Sequence, residues 1–127
     1  AISLLDQALK DNPESDEILQ NVILVCLDAG RGDQALEVAK KGVELKPNSS
    51  QTHLFYGGVA LRLKNHELAI TELKSAIELK PDYVEAHYGL ALAFLAKGDK
   101  ESALKECAVV EKLNPDAGAS LKAEIGQ

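Results

Sequence analysis

Three stretches of the chain are near copies of one another and decide the fold: ELKPNSS (residues 44–50), ELKPDYV (78–84) and KLNPDAG (112–118). Their prolines, Pro47, Pro81 and Pro115, are 34 residues apart, and Pro13 lies a further 34 residues upstream. A fixed period of this length is typical of a chain that stacks copies of one supersecondary unit, because each copy buries its apolar face only against its neighbours. We therefore predict a repeat architecture along the chain.

Dividing the chain at this period places residues of the same kind in register. The repeats are 16–49, 50–83 and 84–117, and three of the aligned sets are Ala35/Ala69/Ala103, Leu27/Leu61/Leu95 and Leu45/Leu79/Leu113. Within each unit, apolar residues recur at helical spacing on either side of a helix breaker. Each unit is therefore expected to be an antiparallel pair of helices.

The breakers between the two helices of each unit have residues suited to helix ends. We expect Gly30, Asn65 and Gly98 to take the left-handed conformation that ends the first helix of each pair. Asp33 and Asp99 are expected to cap the second helix, because a carboxylate accepts hydrogen bonds from the first free N–H groups of a helix.

The two ends of the chain also follow the period. Residues 1–13 repeat the phase of a second helix, so we expect the second helix of a truncated repeat and a fragment of a longer array. The apolar stripe of that segment contains Ile2, Leu5 and Leu9. At the other end, Leu121 and Ile125 are one helical turn apart and predict a short capping helix over 118–127.

Composition excludes several classes of protein. The chain has 127 residues, is 46% hydrophobic and carries a net charge of -6, without a run of Lys or Arg. This balance argues against a nucleic-acid partner, which requires a basic surface. No apolar stretch approaches the ~20 residues of a spanning helix, so we expect no membrane insertion.

The two cysteines, Cys26 and Cys107, lack the spacing of a zinc or redox motif. Two repeats separate them, so we expect them to lie beyond disulfide reach. Unpaired thiols favour a cytoplasmic location, although a bacterial periplasmic one stays open.

The sequence offers no convergent set of nucleophile, base and orienting group, so we expect neither an enzyme nor a cofactor. His53 and His87 are one period apart, and Leu19 stands at the same place in the first unit. They are interpreted as packing residues, with a metal or pH-sensitive site as the alternative, because two histidines without a third ligand hold zinc poorly.

The 34-residue unit resembles the tetratricopeptide repeat, whose pattern places Gly or Ala in the first helix, a small residue at the start of the second and Pro at the close. The matching residues are Gly57, Ala69, Ala76 and Pro81 in the second unit, and Leu90, Phe94, Gly98, Ala103 and Pro115 in the third. The first unit departs from the pattern at Ile23 and Gly42, so we expect it to pack more loosely and to fray first. The resemblance implies an all-α, right-handed α-solenoid of antiparallel helix hairpins.

The resemblance also implies that the first helices line a concave face that binds a peptide or helix of a partner protein. The candidate groove residues are Gln20, Leu24, Leu54, Phe55, Arg62, Tyr88 and Leu92. Because this set is largely apolar, we expect a non-catalytic adaptor whose partner is an apolar peptide or an amphipathic helix.

Two further expectations concern the partner. The chain can instead be a self-assembling scaffold and homo-oligomer, with Ile2, Leu5 and Leu9 in the contact. The acidic C-terminal tail of a heat-shock chaperone is disfavoured, because the family's tail-gripping positions lack a positive clamp here. Those positions hold Gln20, Leu24, Phe55, Glu85 and Gly89.

Overall fold

The computed structural model describes residues 16–126, and this part of the chain is entirely helical between its turns. Its helices are α1 (Asp16–Asp28), α2 (Gly32–Leu45), α3 (Ser50–Arg62), α4 (His66–Leu79), α5 (Val84–Ala96), α6 (Lys100–Leu113) and α7 (Pro115–Ile125). Each helix packs on the next, and the first six form three hairpins whose first helices begin 34 residues apart. The predicted all-α solenoid of helix hairpins is confirmed. The segment 1–13, with Ile2, Leu5 and Leu9, lies outside the described residues.

The turn inside each hairpin uses one left-handed residue, at the same place in every unit. Gly30 has φ 74° and Gly98 has φ 87°, as expected, but in the second unit Lys64 takes this conformation with φ 66°. The prediction for Asn65 was wrong, since its φ is -90°. The period places Lys64, not Asn65, at the position of the two glycines, and Asn65 is used as a helix cap instead.

The second helix of each hairpin begins after Arg31, Asn65 or Asp99. The side chain of Asp99 accepts a hydrogen bond from the Ser102 N–H at 3.1 Å, so the predicted cap is present there. The expectation for Asp33 was wrong: it lies in the first turn of α2, and the capping position is held by Arg31, which makes no side-chain cap bond. A carboxylate in the first turn still suits the positive end of the helix dipole.

The core is a row of three apolar clusters, each formed by one hairpin and the start of the next. The first contains Cys26 of α1 and Val59 of α3, and the third contains Cys107 of α6 and Leu121 of α7. Both cysteines are free and buried, in separate clusters. Each hairpin therefore packs against its neighbours along the chain, as the units of a repeat protein do.

Large and small residues exchange places between the hairpins. In the second hairpin, a Cβ atom added to Gly57 would lie 2.8 Å from Cγ of Leu73, so the glycine leaves room for the leucine. In the first hairpin the equivalent residues are Ile23 and Ala39, with the large side chain on the other helix, and both are buried. The departure at Ile23 from the repeat pattern is therefore matched by a smaller partner, as volume-conserving packing allows.

Helix α7 closes the row and begins earlier than its place in the period. The side chain of Asn114 accepts a hydrogen bond from the Ala117 N–H at 3.1 Å, and Pro115 occupies the first turn. The equivalent residues in the other units are lysines, which cannot accept this bond, so α7 begins at Pro115 and not after residue 117. Its Gly118 packs directly against the backbone of α6.

Candidate functional site: a groove across the first helices

A groove of about 290 Å³ crosses the first helices of the three hairpins, α1, α3 and α5. We call it the first-helix groove and define it by the residues that line it. These are Gln20, Ile23, Leu24, Leu27, Leu54, Phe55, Gly58, Val59, Arg62, Leu73, Glu85 and Gly89. All of these residues except Leu73 of α4 come from the first helices of the hairpins, and those on α1 and α3 recur at helical spacing.

The lining of this groove is mostly apolar. Leu24 contributes the most exposed large apolar side chain, with 46% of its surface accessible. Leu73 of α4 lies between α3 and α5, and a Cβ atom at Gly89 would be 3.3 Å from its Cδ1. A Cβ atom at Gly58 would meet nothing within 4 Å, so this position opens onto free space. The groove can therefore accept apolar side chains without any displacement at Gly58.

Two of the lining residues are charged, and they lie at opposite ends of their helices. Arg62 is in the last turn of α3, and Glu85 is in the first turn of α5. Since α3 and α5 run in the same direction, these charges mark the two ends of the groove. Within residues 16–126, neither side chain makes a hydrogen bond or an ion pair.

The structure brings together five of the seven predicted groove residues: Gln20, Leu24, Leu54, Phe55 and Arg62. It places Tyr88 and Leu92 elsewhere, against the third core cluster, which includes α7. Burial, and then the nearby Glu124 carboxylate of α7, raise the pKa of the Tyr88 phenol. The groove therefore occupies only the first half of α5.

The structure adds lining residues that were not among the predicted groove residues. Glu85 and Gly89 stand at positions that the family resemblance associates with peptide binding, so that resemblance could have identified them. Ile23, Val59 and Leu73 form the floor between the helices. A floor depends on how far neighbouring hairpins are offset, and the spacing of residues within one helix does not reveal it.

The two periodic histidines hold their own hairpins together. Nδ1 of His53 is 2.7 Å from Oε1 of Glu72 on α4, and its Nε2 is 2.8 Å from the carbonyl oxygen of Pro47. His87 repeats both contacts one period later, with Glu106 and Pro81. Because a carbonyl and a carboxylate oxygen both accept, both bonds form together only when both ring nitrogens carry a proton. Each ring therefore contacts the second helix of its own hairpin and the loop that precedes that hairpin.

Residues 16–126 contain no group of three or more His, Cys, Asp or Glu side chains that could hold a metal ion. None of the helices in this region combines the length and the apolar character needed to cross a membrane.

Comparison with protein families agrees with the repeat pattern. A model described as "Tetratricopeptide repeat" matches residues 1–57, and a model described as "TPR repeat" matches residues 60–98. The two matches together take in most of the chain. A search of curated proteins finds no match.

Solved structures show the same fold. The first TPR domain of human RPAP3 superposes with a TM-score of 0.79 and 22% identity, covering 87% of this chain and 88% of that one. The first TPR of Spaghetti (RPAP3), bound to the HSP90 peptide SRMEEVD, gives 0.78 and 22% identity, with 87% and 89% covered. The MamA protein gives 0.75 and 26% identity, covering 98% of this chain and 75% of that one.

Proposed function

Because the chain belongs to the tetratricopeptide repeat family, we propose that it is a protein-interaction module whose first-helix groove binds an apolar segment of a partner protein. The observation that carries the proposal is the open apolar groove itself, in which Leu24 is 46% exposed and Gly58 faces free space. The role is that of a non-catalytic adaptor. The bound Spaghetti domain supports it, since that relative has the same fold and holds a peptide.

The partner segment differs from the acidic chaperone peptide of that relative. The positions that would grip an acidic tail hold Gln20, Leu24, Phe55, Glu85 and Gly89 here. All five line the groove, and none of them is basic. A peptide carboxylate bound at these five positions would meet Glu85 and uncharged side chains, because Arg62 lies at the other end of the groove, and burying an unpaired charge is unfavourable. An apolar segment fits this lining better.

A peptide-display selection tests the proposal. A library of random peptides is selected against the wild-type chain and counter-selected against Gly58→Phe, which fills the groove at a position where an added Cβ atom meets nothing within 4 Å. The Leu24→Glu variant gives a second test within the groove. Val25→Glu is the matched control, because Val25 follows Leu24 on α1, is 62% exposed and does not line the groove.

The expected result is a set of apolar peptides that bind the wild type and Val25→Glu but lose affinity for Gly58→Phe and Leu24→Glu. Circular dichroism melts check that all four proteins are folded. If no enriched peptide distinguishes Leu24→Glu from Val25→Glu, the groove is not the binding site.

A second candidate function is assembly of copies of the chain, and the exposure of Val25 favours it. Val59 and Ala93 occupy the equivalent positions in the next two units and are 2% and 0% exposed, because the preceding hairpin covers them. Val25 is 62% exposed, and no helix within residues 16–126 covers this face of α1, so in this second proposal it buries apolar surface against another copy. Sedimentation equilibrium over a range of concentrations tests this. A monomer mass that is the same for wild type and Val25→Glu at every concentration would exclude assembly through this face.

A further inference from the structure

We propose that the first-helix groove is electrically polarised and selects a partner segment with an acidic residue at one end of its apolar stretch and a basic residue at the other. This inference rests on the proposed function and names the chemistry of the partner. The acidic residue would pair with Arg62 and the basic residue with Glu85. These are the charged lining residues, and within residues 16–126 neither forms an ion pair or a hydrogen bond.

The repeat architecture does not require either charge. Asp28 and Ala96 stand at the place of Arg62 in the other two units, so neither of them is basic there. The place of Glu85 is held by Glu17 in the first unit but by Gln51, which is uncharged, in the second. Neither charge is present in all three units, so the packing of the repeat does not depend on it.

When a partner segment binds in the groove, these two charges favour some partner sequences over others. An apolar segment that covers Arg62 and Glu85 removes water from both side chains, and a desolvated charge without a counter-charge is costly. A segment that places an acidic residue at Arg62 and a basic residue at Glu85 offsets this cost of desolvation. A segment with the two charges exchanged adds electrostatic repulsion at both ends. Discrimination then comes as much from rejecting wrong partners as from attracting the right one.

The positions of the two residues also set the length of the segment. Glu85 corresponds to Gln51 of α3, eleven residues before Arg62, so the two ends are separated along the helix direction by about 16 Å. An extended peptide covers about 3.3 Å per residue, so the two charged residues should be about five positions apart, with about four residues between them. The preferred segment therefore has a short apolar centre between oppositely charged ends.

Each charge also suits the dipole of its own helix, and the experiment separates that role from recognition. A basic residue in the last turn and an acidic residue in the first turn both stabilise a helix. This stabilising role predicts that Arg62→Glu and Glu85→Lys lower the unfolding midpoint but leave the charge preference of bound peptides unchanged. The recognition role predicts a change in that preference.

The test uses peptides from the display selection that bind the wild type and lose binding on Gly58→Phe. Each is compared with a synthetic peptide in which the acidic and basic ends are exchanged. The proteins are wild type, Arg62→Glu, Glu85→Lys and the double variant. Glu37→Lys and Lys40→Glu serve as controls with the same charge changes at exposed positions of α2, which does not line the groove.

We expect the selected peptides to carry acidic and basic residues on opposite sides of an apolar centre. Each single variant should weaken their binding roughly two- to fivefold, as for partly exposed ion pairs. The double variant should prefer the exchanged peptide, whereas both control variants should keep the wild-type preference.

The outcomes separate the two proposals. If peptides depend on Gly58 but the charge variants behave like the controls, the polarised groove is refuted and the adaptor function stands. If no peptide depends on Gly58, the groove does not bind peptides and both proposals fail. Exchange of preference in the double variant, without exchange in the controls, supports both.

Discussion

Adjacent glycines in α3 provide a sharp test of the packing, because the structure gives them opposite surroundings. A Cβ atom on Gly57 would lie 2.8 Å from Cγ and 3.3 Å from the backbone nitrogen of Leu73, whose side chain is buried. A Cβ atom on Gly58 would meet nothing within 4 Å. Replacing either glycine by alanine adds one methyl group to the same helix, so the two variants differ only in what that methyl group contacts.

The expected magnitudes follow from these contacts. Alanine in place of glycine inside a helix stabilises it by about 1 kcal/mol, and this gain applies at both positions. At Gly58 nothing opposes it, so Gly58→Ala should raise the free energy of unfolding by about 0.5 to 1 kcal/mol. At Gly57 the added methyl group overpacks a buried site, which costs about 1 to 3 kcal/mol. Gly57→Ala should therefore be the less stable variant by about 1 to 3 kcal/mol.

The assay is urea unfolding followed by circular dichroism at the helical band, with the free energy of unfolding extrapolated to water. A third protein, Leu73→Ala, and its combination with Gly57→Ala complete a double-mutant cycle. In the Leu73→Ala background, the Gly57→Ala change should become stabilising, since the clashing side chain is gone. Equal stability of the two single glycine variants would refute the close packing of Gly57 on Leu73.

Three further predictions concern other residues whose geometry is explicit. Lys64→Gly should raise the free energy of unfolding by about 1 kcal/mol, because Lys64 has φ 66° and glycine adopts that region without strain; an unchanged urea midpoint would contradict it. Gly118→Ala should loosen α7, since the new Cβ would lie 2.4 Å from Cα of Glu111, and faster amide hydrogen exchange in α7 alone is the expected signal. Hydrogen bonds from the Ser102 hydroxyl and then its backbone N–H lower the pKa of Asp99, so its stabilising contribution is present above the unfolded-state pKa and lost as the pH falls through the folded one. Asp99→Asn should reduce the acid-side slope of stability against pH, and identical slopes for both proteins would exclude the role.

The fold could be predicted from the sequence because residues of the same kind recur every 34 positions, so every unit shows the same helix-hairpin pattern. Aligned small residues such as Ala35 and Ala69, together with the closing prolines, identify the hairpins without knowledge of any contact. The local conformation of the turn was less predictable. Asn65 tolerates the left-handed region better than Lys64, but the register of the repeat places Lys64 there, and the hairpin overrides the residue preference.

The site was only partly predictable, for a reason that lies in α7. Tyr88 and Leu92 continue the apolar stripe of the first helices, and a stripe alone does not say what covers it. In the structure, Leu121 of α7 joins the cluster against which both residues pack. Leu121 corresponds to His87 one period later, so α7 takes the place that the first helix of a further hairpin would occupy. The position of Leu121, one period after His87, could therefore have indicated that α7 packs against Tyr88 and Leu92 and limits the groove at that end.

The histidine pairs show how one position can be filled by two kinds of chemistry. In the first hairpin, Leu19 and Val38 occupy the places that His53 and Glu72 occupy in the second, and both of these apolar side chains are buried. A third residue changes with them. A Cβ atom on Gly42 would lie 2.5 Å from Cδ2 of Leu19, so the leucine needs the glycine.

This relation predicts that the apolar set can be moved into the second hairpin only as a unit. His53→Leu alone should cost about 1 to 3 kcal/mol, because it leaves the Glu72 carboxylate, 14% exposed, without its donor. Adding Glu72→Val removes that charge, but the leucine then meets the Cβ atom of Ala76, which stands at the place of Gly42. Ala76→Gly should therefore destabilise the wild type by about 1 kcal/mol and yet stabilise the double variant. Urea unfolding of the four proteins measures this change of sign, and a glycine that destabilises both backgrounds equally would show that the leucine does not need its space.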